Sequence, residues 1–355
     1  MAPRVQLTEM RRVLNEVDSA EALPESVRVP RSGYWLQLAA LVAIWLFVCW
    51  LHADNNGLWF QGDAPRHATN GLFWQDFVRD FTFDAKTYAL RYYARYPAIN
   101  PAAYPPLFYL LTAGAFGLFG PSPFVAKALV LIFLLVAALY TFAWLHRWIS
   151  PHAAWLAGLL LLTPGMLTWS HAVMLNVPAV ALMAGSLYHA RRWLERDPVN
   201  LHSWQFVLAV GLAGLTMLTY YPGGVVLLIL FVWMVGRVGW QGPWGWRMVV
   251  LALGGVALVV PFVVVAARLV PTHVDWASRV LIEAKQMASW TFYVERFPRL
   301  LGLPLLVLAG LGSLVTVGRR RWRQEAWWLW VWILVIYCCF SVLVAKEGRY
   351  ILFLA

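Results

Sequence analysis

Long apolar runs, broken by short polar loops, set the hydrophobic pattern of the chain. The runs at 34–51, 124–145, 247–267, 300–318 and 326–345 each approach the ~20 residues that a helix needs to cross a bilayer. Runs of this length and composition are typical of transmembrane helices and not of buried helices in a soluble domain. The pattern therefore predicts an all-α polytopic membrane protein.

Basic loops predict the orientation of these helices. The segments "GRRRWRQE" (318–325) and "HARRWLERD" (189–197) carry the densest positive charge, which marks loops that face the cytoplasm. The first helix then runs from inside to outside, and the chain has about 9–10 transmembrane helices if the short run 105–120 is a re-entrant or interfacial helix. The later helices are expected near 124–145, 152–168, 174–190, 204–219, 223–236, 247–267, 300–317 and 327–345.

The same topology divides the chain into a leader and a membrane domain. Residues 1–33 are polar and are expected to form a cytoplasmic leader, and 34–355 form the membrane domain. Long outer loops are predicted at about 52–123 and 268–299. The unusual polar residues of the chain are thereby collected on the outer face of the membrane.

Composition agrees with a membrane protein and excludes nucleic-acid binding. The chain is 61% hydrophobic and only 13% charged. Its net charge of +11 comes from arginines that flank apolar helices, where they face lipid headgroups. The three cysteines lie within apolar runs, so they are interpreted as small core residues and not as a disulfide or metal set.

The stretch "LWFQGDAPRHATNG" (58–71) places Asp63, Arg66 and His67 directly after the first predicted helix. Asp63 could be catalytic, or it could cap a helix that begins near Ala64, with a proline in its first turn. Arg66 and His67 could contact substrate or form a solvated helix face. Three later aspartates recur every four residues, which is typical of a solvated helix face: Asp76, Asp80 and Asp84.

Four motifs, in order, resemble the GT-C fold polyprenyl-phosphate-dependent membrane glycosyltransferases. The chain is similar to the bacterial members related to protein O-mannosyltransferases and to the aminoarabinose transferase of lipid A. The motifs are "GDAPRHATNG" (62–71), "YPPLFYLLTAGAFGLFG" (104–120), "WTFYVERFPRLLGLPLLVLAGLG" (290–312) and "KEGRYILFLA" (346–355). The resemblance implies a GT-C-type bundle with a long first extracytoplasmic loop that contains juxtamembrane helices.

The chain also departs from the family pattern. Tyr104 stands where a lysine usually precedes the proline pair, and Tyr220 stands where the family often has another lysine. Asn176 replaces a common aspartate. The chain ends inside an apolar run at Ala355, so a longer natural chain is expected.

The resemblance and the chemistry together assign roles. A phosphate-linked sugar leaves as an anion of low basicity, so transfer needs one general base for the acceptor and no acid. Asp63 is the predicted base, and a single base predicts inversion at the anomeric carbon. Arg349, Lys346 and Arg66 are predicted to stabilise the leaving phosphate.

Four further residues are predicted substrate contacts: His67, Tyr104, Asn176 and Tyr350. Lys346 and Arg349 could instead be interfacial anchors that extend to lipid headgroups. No cofactor is predicted, because no pair of outer histidines has the spacing of a helix-borne metal site. If a divalent metal binds, Asp63 with His171 or His273 is the expected place.

The sequence therefore predicts an inverting glycosyltransferase of the bacterial plasma membrane with its active site on the extracytoplasmic side. Its partners would be a polyprenyl-phosphate-sugar donor, a glycan, lipid or protein acceptor, and membrane lipids. The alternatives are a transporter or flippase of lipid-linked sugars and an inactive scaffold relative. Transporters often carry internal repeats and charges near the midplane, whereas this sequence shows no clear repeat and its charged residues gather in outer loops and at helix ends.

Overall fold

A computed structural model describes residues 31–53, 58, 63–97, 99, 104–196, 202–238, 290–318 and 320–342. The secondary structure of this part of the chain is helical, with no strand in it, so the predicted all-α class is confirmed. The α-helices, in chain order, are α1 (Arg31–Leu51), α2 (Asp63–Asp80), α3 (Ala85–Arg95), α4 (Leu107–Phe119), α5 (Pro123–Trp144), α6 (Ala157–Leu161), α7 (Pro164–Ser170), α8 (Asn176–Arg196), α9 (Trp204–Thr219), α10 (Val225–Val238), α11 (Thr291–Val294), α12 (Phe297–Leu301), α13 (Leu303–Gly318) and α14 (Arg320–Val342).

Two of the described helices are long and apolar enough to cross a bilayer. They are Gly33–Leu51 within α1 and Pro123–Ile149, which is α5 extended by a π-helical turn at Leu145–Ile149. The number rises to three if the bent pair Thr291–Leu301 and Leu303–Val315 acts as one span. This count covers the described residues, so it does not confirm the predicted 9–10 spans, and the predicted helix at 247–267 lies outside those residues.

The prediction of one continuous helix at 152–168 is wrong. The chain forms a 3-10 turn at Pro151–Leu156, then α6, then α7. Two proline positions explain the breaks, since each proline begins a new turn behind a capping hydroxyl. Ser150 Oγ accepts a hydrogen bond from the His152 amide at 3.2 Å, and Thr163 Oγ accepts one from the Met166 amide at 3.3 Å.

A second correction concerns the helix predicted at 300–317. The chain turns by 115° between Thr291–Leu301 and Leu303–Val315, so the apolar helix starts only at α13. Gly302 lies at this turn with φ = 80°, a conformation that favours glycine over any residue with a Cβ. The sharp change of direction follows from that one position.

Helix α8 lies at the centre of the bundle, and most of its side chains are buried. Its small residues allow the neighbouring helices to approach closely, as is common in membrane bundles. A Cβ atom on Gly185 would lie 2.7 Å from the Tyr140 ring of α5. On the other side, Ser186 Oγ donates a hydrogen bond of 2.8 Å to the Ala209 carbonyl of α9.

Helices α2 and α4 form a second close pair. Gly71 of α2 faces Thr112 of α4, and a Cβ atom at Gly71 would lie 2.6 Å from the threonine methyl group. With 13 residues, α4 is about 20 Å long, shorter than the ~30 Å hydrocarbon core of a bilayer. It is therefore too short to cross a bilayer by itself.

A buried arginine joins three elements near the end of α8. The guanidinium of Arg191 lies 4.9, 4.2 and 5.3 Å from the ring centroids of Trp144, Trp148 and Trp328. Its Nε donates to Glu195 Oε1 at 3.0 Å, and Trp148 Nε1 donates to Glu195 Oε2 at 2.9 Å. We call these five residues the Arg191 cage, and it ties α5, its π-helical turn and α14 to α8.

Candidate active site

One face of α2 carries the polar residues of the candidate site. Asp63 is the first residue of the helix, where a carboxylate interacts favourably with the positive end of the helix dipole. Arg66 follows one turn later, and its Nη1 lies 3.4 Å from Asp63 Oδ1. His67 and Asn70 continue the same face at the next two helical positions. The predicted helix start near Ala64 is therefore confirmed to within one residue.

The buried part of this face is joined to α4 by hydrogen bonds. His67 Nδ1 and the Tyr109 hydroxyl share a hydrogen bond of 2.8 Å, and both side chains are buried. Asn70, also buried, makes a side-chain hydrogen bond to the same phenol. These contacts hold His67 in one orientation, because a buried imidazole that lost this partner would leave polar atoms unsatisfied.

Aromatic rings extend the cluster beyond α2. Tyr104 meets the His67 ring edge-on, with 5.0 Å between ring centroids. The Tyr220 ring is also stacked on the Tyr104 ring, with 6.4 Å between ring centroids. The two tyrosines that replace family lysines in the sequence are thus in contact with each other, and their rings form an aromatic wall beside His67.

The structure brings four of the predicted site residues together: Asp63, Arg66, His67 and Tyr104. Asn176 is the first residue of α8 and is buried in the core. The remaining three predicted residues, Lys346, Arg349 and Tyr350, lie outside the described part of the chain. The sequence had not singled out Asn70 or Tyr109, although Asn70 lies seven residues after Asp63, a helical spacing that places it on the same face.

A second polar cluster was missed by the sequence analysis. Buried Lys127, in the second turn of α5, donates a hydrogen bond to the backbone carbonyl of His52 just after α1. The His52 ring lies 4.2 Å from the ring of His171, and its two nitrogens face the carbonyls of Val48 at 2.6 Å and Leu167 at 3.1 Å. A lysine inside an apolar run was the available signal, because charge at membrane depth is usually functional or paired.

The electrostatics of this second cluster favour a neutral His171. Burial lowers the pKa of the His171 imidazole, and the neighbouring His52 and the Lys127 ammonium lower it further. The imidazole is therefore available as a hydrogen-bonding group and not as a second cation beside Lys127.

The described residues contain no group of three or more His, Cys, Asp or Glu side chains that could hold a metal ion. Of the metal positions considered from the sequence, His171 contacts His52, and His273 lies outside the described residues.

The Asp63 cluster combines an accessible carboxylate with a rigid support. The Asp63 side chain is 19% exposed and that of Arg66 is 37% exposed, whereas His67, Asn70 and Tyr109 are buried behind them. The Asp63–Arg66 pair is long, at 3.4 Å, and the partly exposed guanidinium has five N–H donors to share among partners. This arrangement can accept a proton and bind an anion at one place on the protein surface.

Comparison with known proteins agrees with the resemblance seen in the motifs. Residues 103–266 match the sequence model of the dolichyl-phosphate-mannose-protein mannosyltransferase family. The fold is similar to that of ArnT from Cupriavidus metallidurans bound to undecaprenyl phosphate, with a TM-score of 0.63 and 19% identity over 92% of this chain. The apo state of the same ArnT gives a TM-score of 0.61 and 20% identity over 90% of this chain. No curated protein sequence matches the chain.

These matches confirm the predicted resemblance to the GT-C polyprenyl-phosphate-dependent glycosyltransferases and the GT-C fold. The chain covers 58% and 57% of the two ArnT chains. The shared fold and the apolar spans together identify the chain as a membrane protein.

Proposed function

We propose that this chain, which has the GT-C fold and a mannosyltransferase-family segment at 103–266, transfers a sugar from a polyprenyl-phosphate donor to an acceptor hydroxyl. The observation that carries the proposal is the position of Asp63. Its carboxylate is at the accessible end of a buried hydrogen-bonded cluster, in a fold shared with a protein whose structure holds undecaprenyl phosphate.

The reaction requires one base. The acceptor oxygen forms a bond to the anomeric carbon, the bond from that carbon to the phosphate oxygen breaks, and the polyprenyl phosphate leaves as an anion. Asp63 takes the proton of the acceptor hydroxyl. Because the displacement is direct, the configuration at the anomeric carbon inverts.

Arg66 is proposed to bind the donor phosphate. Its guanidinium is partly exposed, and among the described residues it makes a long contact with Asp63, which leaves donors for phosphate oxygens. Charge stabilisation of this kind commonly gives a large share of catalysis in transfer reactions. Arg349 and Lys346 are proposed to complete the phosphate site, with Tyr350 and Asn176 as further substrate contacts.

Tyr104 and His67 are proposed to contact the sugar through the aromatic wall. Tyr104 is partly buried between the rings of His67 and Tyr220, so its orientation is fixed by neighbours on both sides. A fixed ring next to a carboxylate can pack against the apolar face of a pyranose. We propose that this wall positions the sugar so that its anomeric carbon lies near Asp63.

The proposed place of the reaction is the extracytoplasmic face of the bacterial plasma membrane. The support is the distribution of basic segments along the sequence, which favours an outer position for the end of α1 and the start of α2. The acceptor is proposed to be a hydroxyl of a glycan, lipid or protein that is present on that side.

Two observations favour a transporter of lipid-linked sugars as a second candidate function. Lys127 is buried in the second turn of a spanning helix, and the chain between Pro151 and Ser170 is a broken helix. Both features are common in transporters. A transporter would move the intact donor lipid between leaflets and release no free polyprenyl phosphate.

Transfer by the reconstituted protein tests the proposal. The full chain in liposomes is supplied with undecaprenyl phosphate carrying a radiolabelled sugar, together with solubilised envelope glycans and lipids as acceptors. We expect release of undecaprenyl phosphate and a labelled product of inverted configuration. Asp63→Asn should slow this release by roughly 10³-fold, the usual scale for a general base, while binding of the donor is retained.

Asp76→Asn is the matched control, because Asp76 lies on the same helix but is paired with Arg79 at 3.0 Å. It should transfer at the rate of the unmodified chain. A near-normal rate for Asp63→Asn would contradict the assignment of the base. Movement of intact donor between leaflets without any product would support the transporter instead.

A further inference from the structure

Three buried side chains behind Asp63 form a hydrogen-bonded series. The Asn70 side chain of α2 bonds to the Tyr109 hydroxyl of α4, and that hydroxyl lies 2.8 Å from Nδ1 of His67. Asn70 and Tyr109 are fully buried, and His67 is 2% exposed. Because buried polar groups must satisfy one another, the direction of one bond in the series determines the direction of the next.

The bond at Asn70 indicates the direction of the series. The Tyr109 hydroxyl has one proton, so it can donate to one of its two partners and must accept from the other. Burial raises the pKa of the Tyr109 hydroxyl well above its ordinary value, whereas the bond with Asn70 lowers this pKa. A bond lowers the pKa of a phenol when it donates to the phenol oxygen, because it then stabilises the ionised form. The Asn70 amide therefore donates to Tyr109, and the Tyr109 hydroxyl donates to His67 Nδ1.

The groups near His67 agree with this direction on independent grounds. A ring nitrogen that accepts from Tyr109 carries no proton, so the proton of the neutral imidazole is on Nε2. Asp63 lies four residues before His67 on the same face of α2, and an ionised carboxylate can only accept hydrogen bonds. The ring with its proton on Nε2 offers a donor to such oxygens, whereas the ring with its proton on Nδ1 would spend that proton on the phenol.

We propose that Tyr109 and Asn70 are positioning residues that hold His67 as the neutral ring with its proton on Nε2, and so make it a fixed hydrogen-bond donor to a hydroxyl oxygen of the sugar. The Tyr104 ring, which meets the His67 ring edge-on at 5.0 Å, restricts rotation of the imidazole. The inference rests on the proposed function, from which the sugar is taken.

This state of His67 divides the work between the two neighbours on α2. Nδ1 already accepts the phenol proton, so the ring does not take up the proton of the acceptor hydroxyl, and Asp63 keeps the role of base. His67 instead orients the sugar. A donor whose proton position is set before the substrate binds needs no reorganisation during the reaction.

Solid-state NMR of the ring nitrogens tests the proton position without any need for activity. The full chain, isotope-labelled at its histidine nitrogens, is placed in lipid nanodiscs, and the His67 signals are those lost in His67→Gln. At neutral pH we expect Nδ1 to have the chemical shift of an unprotonated nitrogen and Nε2 that of a protonated one. Tyr109→Phe, which removes the phenol proton, should produce a mixture of tautomers. A proton on Nδ1 in the unmodified chain would overturn the proposal, and so would an unchanged His67 spectrum in Tyr109→Phe.

A double-mutant comparison tests the link to sugar transfer. Tyr109→Phe should lower the transfer rate roughly tenfold, the scale of one hydrogen bond. A glutamine amide carries its N–H whatever residue stands at 109, so His67→Gln should keep a measurable rate, and Tyr109→Phe should cost nothing more in that background. The matched control is Thr112→Val, since the buried Thr112 hydroxyl donates to the Phe108 carbonyl of its own helix at 2.8 Å, and this variant should transfer like the unmodified chain.

An equal loss of rate from Tyr109→Phe in both backgrounds would overturn the positioning role, because Tyr109 would then only support the packing of α2 on α4. Absence of transfer in every preparation, the unmodified chain included, would count against the proposed function. The proton position on His67 would still be decided by the NMR spectra, so the two failures are distinguishable.

Discussion

Arg66 and Arg191 are each paired with a carboxylate about one helical turn away, but their surroundings are opposite. The Arg66 side chain is 37% exposed and lies 3.4 Å from Asp63. Arg191 is 1% exposed, lies 3.0 Å from Glu195 and is surrounded by tryptophan rings. Arg66 thus keeps exposed surface and a long contact, as its proposed role toward phosphate requires, whereas Arg191 is enclosed by partners that tie helices together.

The physical basis of the difference is desolvation. An enclosed arginine has lost its water and must be compensated by close partners, which the Arg191 cage provides through an ion pair and three cation–π contacts. Arg66 has kept part of its hydration, so its pair with Asp63 contributes little to stability. A phosphate that displaced this water would keep most of the electrostatic attraction of the guanidinium for itself, because the pair with Asp63 is weak.

The largest stability effect is expected at the cage. Arg191→Ala removes the centre of contacts among α5, α8 and α14, and we expect the free energy of unfolding to fall by about 3 kcal/mol. Arg191→Lys keeps the charge but loses the planar group that stacks on the rings, so an intermediate loss is expected. Unfolding of the purified protein in detergent, followed by tryptophan fluorescence, measures both.

Arg196→Ala is the control for this prediction, because Arg196 is exposed at the end of the same helix. It should unfold like the unmodified protein. An Arg191→Ala variant as stable as this control would show that the cage does not stabilise the fold.

A smaller effect, on activity and not on stability, is expected at Arg66. Arg66→Ala should lower the rate of sugar transfer roughly 10- to 100-fold, because one charge-assisted contact to the leaving phosphate is lost. Its unfolding temperature should stay unchanged, since the exposed pair contributes little. Transfer assays and thermal unfolding of the same preparation separate the two readouts. A large loss of stability with normal transfer would reverse the roles given to the two arginines.

The smallest effect on stability is expected at Asp80, whose partner Arg79 is a third and well exposed arginine. Hydrogen bonds from Tyr88 and then from Arg79 lower the pKa of Asp80 below its ordinary 3.8. The ionised Asp80 carboxylate therefore stabilises the fold fully above pH 3.8, and this stabilisation is lost as the pH falls through the lowered pKa of Asp80. Hydrogen exchange of α3 amides, corrected for intrinsic rates, should be constant from pH 7 to about pH 4 and rise only below it.

Tyr88→Phe provides the matched variant for the pH experiment. It removes the first of the two contacts to Asp80, so its α3 amides should become unprotected at a higher pH than those of the unmodified chain. Identical pH dependence in the two proteins would show that the Tyr88–Asp80 contact does not hold α3 against the end of α2.

The sequence correctly predicted helices that follow from an apolar run in the chain itself. The predicted helix at 204–219 coincides with α9, and the run at 34–51 lies within α1, because an apolar run has only one way to satisfy its backbone in a membrane. The helix predicted at 152–168 is wrong because Pro151 and Pro164 each begin a new turn and so interrupt the apolar run.

For the candidate site, sequence reasoning found the residues on one helix and missed their partners. Asp63, Arg66 and His67 stand together in the motif and also on α2. Tyr109 is 42 residues away from the histidine that it binds, and Lys127 is 75 residues away from the carbonyl that it binds. No spacing along the chain indicates either contact, since both depend on how the helices pack.

The sequence by itself determined that the chain is helical and membrane-embedded, and it brought Asp63, Arg66 and His67 together in one short motif, because hydrophobic run length and local motifs act within a few turns of backbone. Only the tertiary structure decided that the tyrosines at 104 and 220 touch, that Arg191 is enclosed while Arg66 is not, and that the Phe83 ring is exposed. These properties belong to surfaces that meet between distant helices, and a side chain's exposure is fixed only when those helices have packed.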